Sequence, residues 1–314
     1  MPDFVRKLLS ADKVSVIQKL GGLTADNFIV SDGSASYVLK NYKGKSESDI
    51  VFEENLLKEL AAQNLPVVQP LNFNGKTRFY EDGSFFSLFP LVDGGVLHGR
   101  QLKAVHFKEI AKVMPSFHAI NSLKTNLKMS EEIYGKKRID AFYSLPNQTL
   151  PRNISRLLSL KKELLESVES DSFTSYFNKK HLVHGDFHNE NILFSNDRLA
   201  ALLDFDLCHL GNRMEDVFNF LWLAFFSGAI NDETVEQAKS YLNEMNAVYA
   251  FTPDELSFGF SFMLYSFATS VFIEQNAIKG ENPLFSDLIE RDLNKAEYLI
   301  ENRNALFLIL NTAA

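Results

Sequence analysis

The sequence predicts an α+β fold of two unequal lobes: a small antiparallel β-sheet lobe with one main helix, then a larger, mainly helical lobe. Three observations predict it. β-prone runs separated by Gly and Asp-Gly turns crowd the first ninety residues, broken by a single long helical pattern. Beyond residue 95 most apolar runs have helical spacing. The main exception is a central stretch, His184-Gly185-Asp186-Phe187-His188-Asn189-Glu190-Asn191, which reads as a loop leading into a β-hairpin and a second acidic loop, Asp204-Phe205-Asp206.

The elements follow in order. Residues 3–11 have the pattern of a short helix. Val14–Ile17 is β-prone and runs into Gly21-Gly22, with Phe28–Val30 beyond as a second strand. Ser31-Asp32-Gly33-Ser34 carries the Asp-Gly chemistry of a hairpin turn, and Ser36–Lys40 is the third strand. Residues 46–63 form a helix in which Leu56, Leu57 and Leu60 make an apolar stripe. Glu53 lies three, four and seven residues before those leucines and fits their buried face better than Glu54 does. Pro66 closes the helix because it cannot continue one. Further strands are expected near Leu71–Phe73 and Ser84–Phe89, and Pro90 with Gly94-Gly95 breaks the sheet.

The second lobe begins there. Residues 101–122 make a long candidate helix with Pro115 as a kink. His118 falls on its apolar side, where a packed core histidine is the simpler reading, since no second ligand stands at metal spacing. Residues 124–151 are mixed and polar. Ile154, Leu157, Leu158, Leu164, Leu165 and Val168 give residues 153–169 one apolar face. Helices are expected at 214–226, 233–249, 253–278 and 290–310.

Composition excludes several function classes. The chain has 314 residues, 46% hydrophobic and 23% charged, in the range of soluble globular proteins. A net charge of −8 argues against non-specific nucleic-acid binding, which needs clustered positive charge. Cys208 is the single cysteine, so no intramolecular disulfide forms, and a cytoplasmic setting fits. Met1–Ser10 lacks the apolar core of a signal peptide, and the apolar run Phe220–Phe226 is too short to span a bilayer. Neither a nucleic-acid nor a membrane partner is expected.

The chemistry sits in the central stretch. Asp186 and Asn191 are five apart, and Asp204 follows thirteen residues later. That set suits deprotonation of a hydroxyl beside a metal-bound nucleotide. The protein-kinase signature H-R-D-L-x-x-x-N followed by D-F-G has the same Asp-to-Asn spacing and order. With Gly185 in place of Arg and Asp206 in place of Gly, the stretch resembles the aminoglycoside phosphotransferase and choline kinase superfamily, small-molecule kinases of protein-kinase-like fold.

The resemblance implies a role for each element. It places a nucleotide-binding lobe at residues 1–92 and a catalytic, acceptor-binding lobe at 93–314, with a hinge near Pro90 to Gly95. Phe89 and Leu91 would hold the adenine there. Gly21 and Gly22 would let the backbone approach the ATP phosphates, although the full G-x-G-x-x-G pattern is absent and the pair by itself reads more simply as a plain hairpin turn. Asn27 would add a phosphate contact. Lys40 would meet the phosphates, with Glu53 pairing it. Asp186 would be the catalytic base, and Asn191, Asp204 and Asp206 would hold Mg²⁺. The aspartate in Asp216's place braces the catalytic loop in that family; an N-terminal cap of the following helix is a further reading. Only about ten residues separate Asp206 from the next helix, and no A-P-E follows. That leaves little platform for a peptide, so the acceptor is expected to be a small hydroxylated molecule: an amino alcohol such as homoserine, an aminoglycoside or a sugar. The contrasting reading is a pseudokinase that binds nucleotide as a regulatory or interaction module.

Overall fold

The computed structural model describes residues 3–10, 13–20, 26–144, 150–168, 179–280 and 284–312. The chain divides into two compact units, and the division is not a single cut. The first unit takes residues 1–95, 123–125 and 192–206; the second takes 96–122, 126–191 and 207–314.

The first unit is built on a five-stranded antiparallel sheet: β1 (Ser15–Leu20), β2 (Asp26–Ser31), β3 (Ser36–Asn41), β4 (Arg78–Glu81) and β5 (Ser84–Pro90). Its spatial order is β1-β2-β3-β5-β4. The hairpin turn between β2 and β3 forms as its chemistry demands. The Asp32 carboxylate accepts the N–H groups of Ser34 and Ala35 at 2.8 Å each, and Gly33 takes φ +91°. One sheet face closes on a core of Val5, Val30, Leu39, Phe86 and Leu88, with Val5 supplied by helix α1 (Asp3–Leu8). Helix α2 (Glu47–Ala62) starts at a capping box in which Ser46 and Asp49 satisfy each other's backbone N–H groups. Its buried side carries Leu56, Leu57 and Leu60 together with both Glu53 and Glu54.

Two expectations for this unit need correction. Leu71–Phe73 is not a strand: Asn72 accepts the Gly75 N–H at 2.8 Å and Phe73 pairs only with Lys76 across a tight turn. The local turn chemistry of Asn72 and Gly75 outcompetes the apolar pair. The missing strand is β4, which pairs with β5 from Arg78↔Ser87 to Glu81↔Ser84.

The unit is completed from far along the chain. Strands β7 (Ile192–Ser195) and β8 (Arg198–Leu202) pair as a hairpin. The Leu202 N–H donates to Pro66 O at 2.7 Å, and Gly95 and Phe194 exchange hydrogen bonds of 2.9 Å. Gly94 is a required glycine, since at φ +153° an added Cβ would stand 2.9 Å from the Phe194 carbonyl oxygen.

The second unit is helical: α3 (Ala104–His118), α4 (Ser130–Tyr134), α5 (Lys136–Tyr143), α6 (Arg152–Val168), α7 (Met214–Phe225), α8 (Asp232–Tyr249), α9 (Pro253–Thr269), α10 (Phe272–Lys279) and α11 (Leu284–Asn311). Helix α3 runs through Pro115 and ends three residues later. The expected single helix over 253–278 is two, broken at Ser270–Val271. The stretch 253–279 is long and apolar enough to cross a membrane by length and composition. Here Phe258, Phe262 and Phe267 are buried, while Phe272 and Ile278 near its end are exposed. Phe107, Phe220, Phe225 and Tyr241 form an aromatic core with ring centroids 4.6–6.1 Å apart. Strands β6 (His181–Val183) and β9 (His209–Gly211) pair antiparallel.

Candidate active site

The first unit gathers Lys40, Glu53, Asp204 and Asp206. Lys40 is carried on β3, opposite Asn27 on β2 and Ser87 on β5. Its Nζ donates to Glu53 Oε1 at 2.8 Å and stands 3.7 Å from Asp204 Oδ1. Burial works against the Lys40 charge, but the negative charges of Glu53 and Asp204 outweigh it and raise the pKa. Glu54, the alternative partner, instead meets Arg78 at 2.9 Å. Both glutamates are buried, so their partners rather than their faces of the helix tell them apart.

Three carboxylates converge. Glu53, Asp204 and Asp206 each present an oxygen within 4.8 Å of the other two. Glu53 Oε2 and Asp204 Oδ1 are buried and accept no hydrogen bond from the described residues. Buried carboxylate oxygens without donors are costly unless a cation satisfies them. The donor set is hard oxygen only, which fits Mg²⁺. Asp204 also holds φ +59°, a left-handed conformation that costs a non-glycine residue about 1–2 kcal/mol. Such strain persists where the surroundings fix a side chain's direction.

A residue that the sequence did not single out joins this cluster. Lys45, four residues past β3, forms an ion pair with Asp206. Burial and the nearby Lys40 charge lower its pKa. Nothing in the local pattern separates Lys45 from the neighbouring exposed lysines; a contact with a residue 161 positions away makes it informative.

The remaining nucleotide-lobe positions fall as follows. Asn27 is half-buried in β2, directly opposite Lys40. Phe89 pairs with Val38 near the end of β5, and Leu91 is 42% exposed just beyond it. Gly21 and Gly22 lie outside the described residues.

The second unit carries the loop of Asp186 and Asn191. Phe187 anchors it by sinking fully into the aromatic core, 5.5 Å from Phe220. Burying a phenylalanine contributes roughly 1.5–3 kcal/mol. Asp216 holds the loop's start: its carboxylate accepts the N–H of His184 at 2.7 Å and of Gly185 at 3.0 Å. His118 lies 3.0 Å from the same carboxylate, and Tyr249 hydrogen-bonds the other His118 nitrogen at 2.5 Å. Burial pushes the Asp216 carboxyl up, but the His118 hydrogen bond and the neighbouring donors prevail and hold it below the usual range. Asp216 is thus a brace. It is not the N-terminal cap of α7, where Asn212 accepts the Met214 N–H and Glu215 accepts the Asn212 N–H.

Gly185 explains why arginine is missing from the kinase-like motif. The loop requires φ +80° there, and any Cβ would collide with the Leu207 carbonyl. His209 fixes that carbonyl through Nδ1 at 2.7 Å, and its Nε2 meets Glu215 at 3.0 Å. Burial disfavours the His209 charge, yet the hydrogen bond and charge of Glu215 raise its pKa.

Asp186 is half-exposed. Burial raises its carboxyl, but His188, 3.5 Å away, outweighs this and holds it below the usual range. The Asn191 amide nitrogen donates to Asp186 O at 2.9 Å and to Asp186 Oδ2 at 3.1 Å. That engagement leaves the Asn191 amide oxygen to serve as a ligand. His184 is fully buried and accepts the Asp186 N–H at 3.3 Å, so it shapes the loop. His188 was not anticipated, although its place two residues after Asp186 is the signal that would have found it.

Residues 16–253 match the phosphotransferase enzyme family, well over half of the chain. An uncharacterized protein of Synechocystis, sll1119, is 26% identical over 222 residues, 65% of this chain and 58% of that protein. Acyl-CoA dehydrogenase family member 11 of Pongo abelii is 22% identical over 232 residues. The chain spans less than two thirds of these relatives, only 28% of the second. Among solved structures, amicoumacin kinase in complex with AMP-PNP and Ca²⁺ superposes with a TM-score of 0.66 at 14% identity, covering 91% of this chain and 88% of that one. That likeness is one of fold.

Proposed function

Because the chain belongs to the phosphotransferase enzyme family, we propose that it transfers the γ-phosphate of ATP to a hydroxyl of a small molecule. The observation that carries the reading is the buried Lys40–Glu53 pair beside the orphaned oxygens of Glu53 and Asp204.

Each residue has a part. Lys40, aimed by Glu53, neutralises nucleotide phosphate oxygens. Asp204 and Asp206 offer carboxylate oxygens to Mg²⁺, and Asn191 its amide oxygen. The metal ion, when bound, offsets the charge on the β- and γ-phosphate oxygens. Asn27 lies beside Lys40 and adds a polar group on the phosphate side, with Gly21 and Gly22 assigned to the same task. Phe89 and Leu91 face the adenine.

Asp186 orients the acceptor hydroxyl and takes its proton. Its lowered pKa makes it a weak base but keeps it ionised and purely accepting. Phosphoryl transfer runs through a loose transition state, so the proton leaves late and a strong base is not needed. The reaction balances as acceptor–OH plus ATP giving acceptor phosphate, ADP and one proton.

The test is acceptor-dependent ADP release with Mg-ATP over a panel of hydroxylated compounds. Asp186→Asn should lower it by about 100-fold or more while AMP-PNP affinity is retained. Tight nucleotide binding with no turnover of any acceptor would instead make the chain a binding module.

A further inference from the structure

Four arginines of the second unit stand beside carboxylates, whereas no carboxylate among the described residues meets Arg138, Arg152 or Arg303. Arg213 holds Glu255 through two hydrogen bonds of 2.9 and 3.0 Å. Arg100 meets Glu233, Arg156 meets Glu297, and Arg291 approaches Asp292. Arg138 differs. It lies on α5, half-buried, and among the described residues its guanidinium meets no carboxylate. Its partners are a main-chain carbonyl, Ser266 O at 2.9 Å, and the face of Tyr134, with the guanidinium carbon 5.0 Å from the ring centroid.

A guanidinium has five N–H donors. One is spent on Ser266, and a ring face offers no lone pair. Burial lowers the Arg138 pKa, the reverse of Arg100, whose hydrogen bond to Glu233 raises it. A partly desolvated cation without a counter-charge is costly unless an anion arrives.

The location ties this cation to the reaction. The Tyr134 hydroxyl donates to Gly185 O at 3.4 Å, the carbonyl just before Asp186. Burial raises the Tyr134 pKa, with the charge of Glu215 next in effect, so the hydroxyl stays protonated and able to donate. Tyr134 is itself held by Tyr265, whose hydroxyl donates to its carbonyl. Arg138 therefore stands one phenol ring away from the catalytic loop, fixed to the same scaffold.

We propose that Arg138 binds an oxyanion on the acceptor, so that the acceptor is a small hydroxylated carboxylic acid or hydroxy amino acid. A planar fork matches a carboxylate through paired N–H donors. A polycationic antibiotic would place an ammonium against Arg138, and like charges repel. The inference rests on the phosphotransferase reading and narrows its substrate class.

The experiment compares matched acceptors with Mg-ATP, following ADP: 4-hydroxybutanoate against 1,4-butanediol, and homoserine against its amide. Kanamycin and a phosphate monoester of butanediol complete the panel. Wild type should show kcat/KM at least tenfold higher for the carboxylate in each pair. Arg138→Met should collapse that ratio by tenfold or more, through KM for the carboxylate. Arg138→Lys, which keeps the charge but loses the fork, should restore part of it. Circular dichroism and AMP-PNP affinity check that both variants are folded; if Arg138→Met is not, the wild-type ratios and Arg138→Lys decide. Preference for the phosphate monoester would support the anion site and assign it to phosphate. Equal or better use of diol, amide or kanamycin overturns the inference while leaving the kinase reading intact. No turnover by any acceptor is the failure of the kinase reading itself, and removes both.

Discussion

His118 and Asp216 form a buried pair, Nε2 to Oδ2 at 3.0 Å, beneath the loop that carries Asp186. The pair matters because Asp216 also accepts the N–H groups of His184 and Gly185. Removing the carboxylate strands all of these donors at once. Asp216→Ala should cost on the order of 3–5 kcal/mol of stability, read from urea denaturation. The Asp216 pKa is lowered in the fold, so its stabilisation is complete above the unfolded value of 3.8 and fades as pH falls through the folded value. The gap between wild type and Asp216→Asn should therefore narrow only below about pH 3.8.

Lys40 and Glu53 are coupled in the same sense. Lys40→Met leaves a buried carboxylate uncompensated and should destabilise the chain by about 3–5 kcal/mol. Adding Glu53→Gln should recover part of the loss, giving a coupling energy of roughly 1–3 kcal/mol in a double-mutant cycle. AMP-PNP titration should show weakened binding in both single variants. Additive effects would mean that the 2.8 Å contact carries no stability.

The His209–Glu215 pair has the opposite pH sign. The folded His209 pKa is raised above 6.5, so its contribution is full below that value and lost as pH climbs through the folded pKa. Denaturation midpoints of wild type and His209→Gln should differ more at pH 6 than at pH 9. A constant difference would show that the contribution of His209 does not depend on its charge.

Gly185→Ala combines positive φ with a clash against the Leu207 carbonyl. Left-handed strain alone costs about 1–2 kcal/mol. The loop must also shift, so turnover should fall further than stability. Comparing the melting temperature with kcat separates the two.

The sequence made some of these groups legible and hid others for physical reasons. Lys40 and Glu53 could be read because strand and helix periodicity aim each side chain inward before any tertiary contact exists. Asp186, Asn191 and Asp204 could be read because one short loop and one hairpin fix their spacing. Lys45 and Arg138 could not, since each gains meaning only from distant partners, Asp206 and Ser266. Strand β4 was missed because Arg78 and Glu81 look polar; Arg78 is occupied by Glu47 and Glu54 of α2. The break at Ser270–Val271 has no Pro or Gly to announce it. Lys161, buried on α6, donates to Ser270 O and pairs with Glu274, so tertiary bonding ends the helix there.

The first unit is drawn from three separated stretches of chain. Its strands β1 to β5 leave the ribosome early, yet Pro66 and Gly95 find their partners only when Leu202 and Phe194 follow. At about 5–20 residues per second, that wait lasts roughly 5–20 s. During it, the nascent sheet presents unpaired backbone at the places where the hairpin will dock. A fragment ending at residue 95 should be sticky and poorly folded, and nascent chains stalled before residue 206 should be far more sensitive to protease than those stalled after it. The Asp204 carboxylate lies at the very end of this last segment. Maturation of the sheet unit and arrival of the Asp204 carboxylate beside Lys40 are then one event.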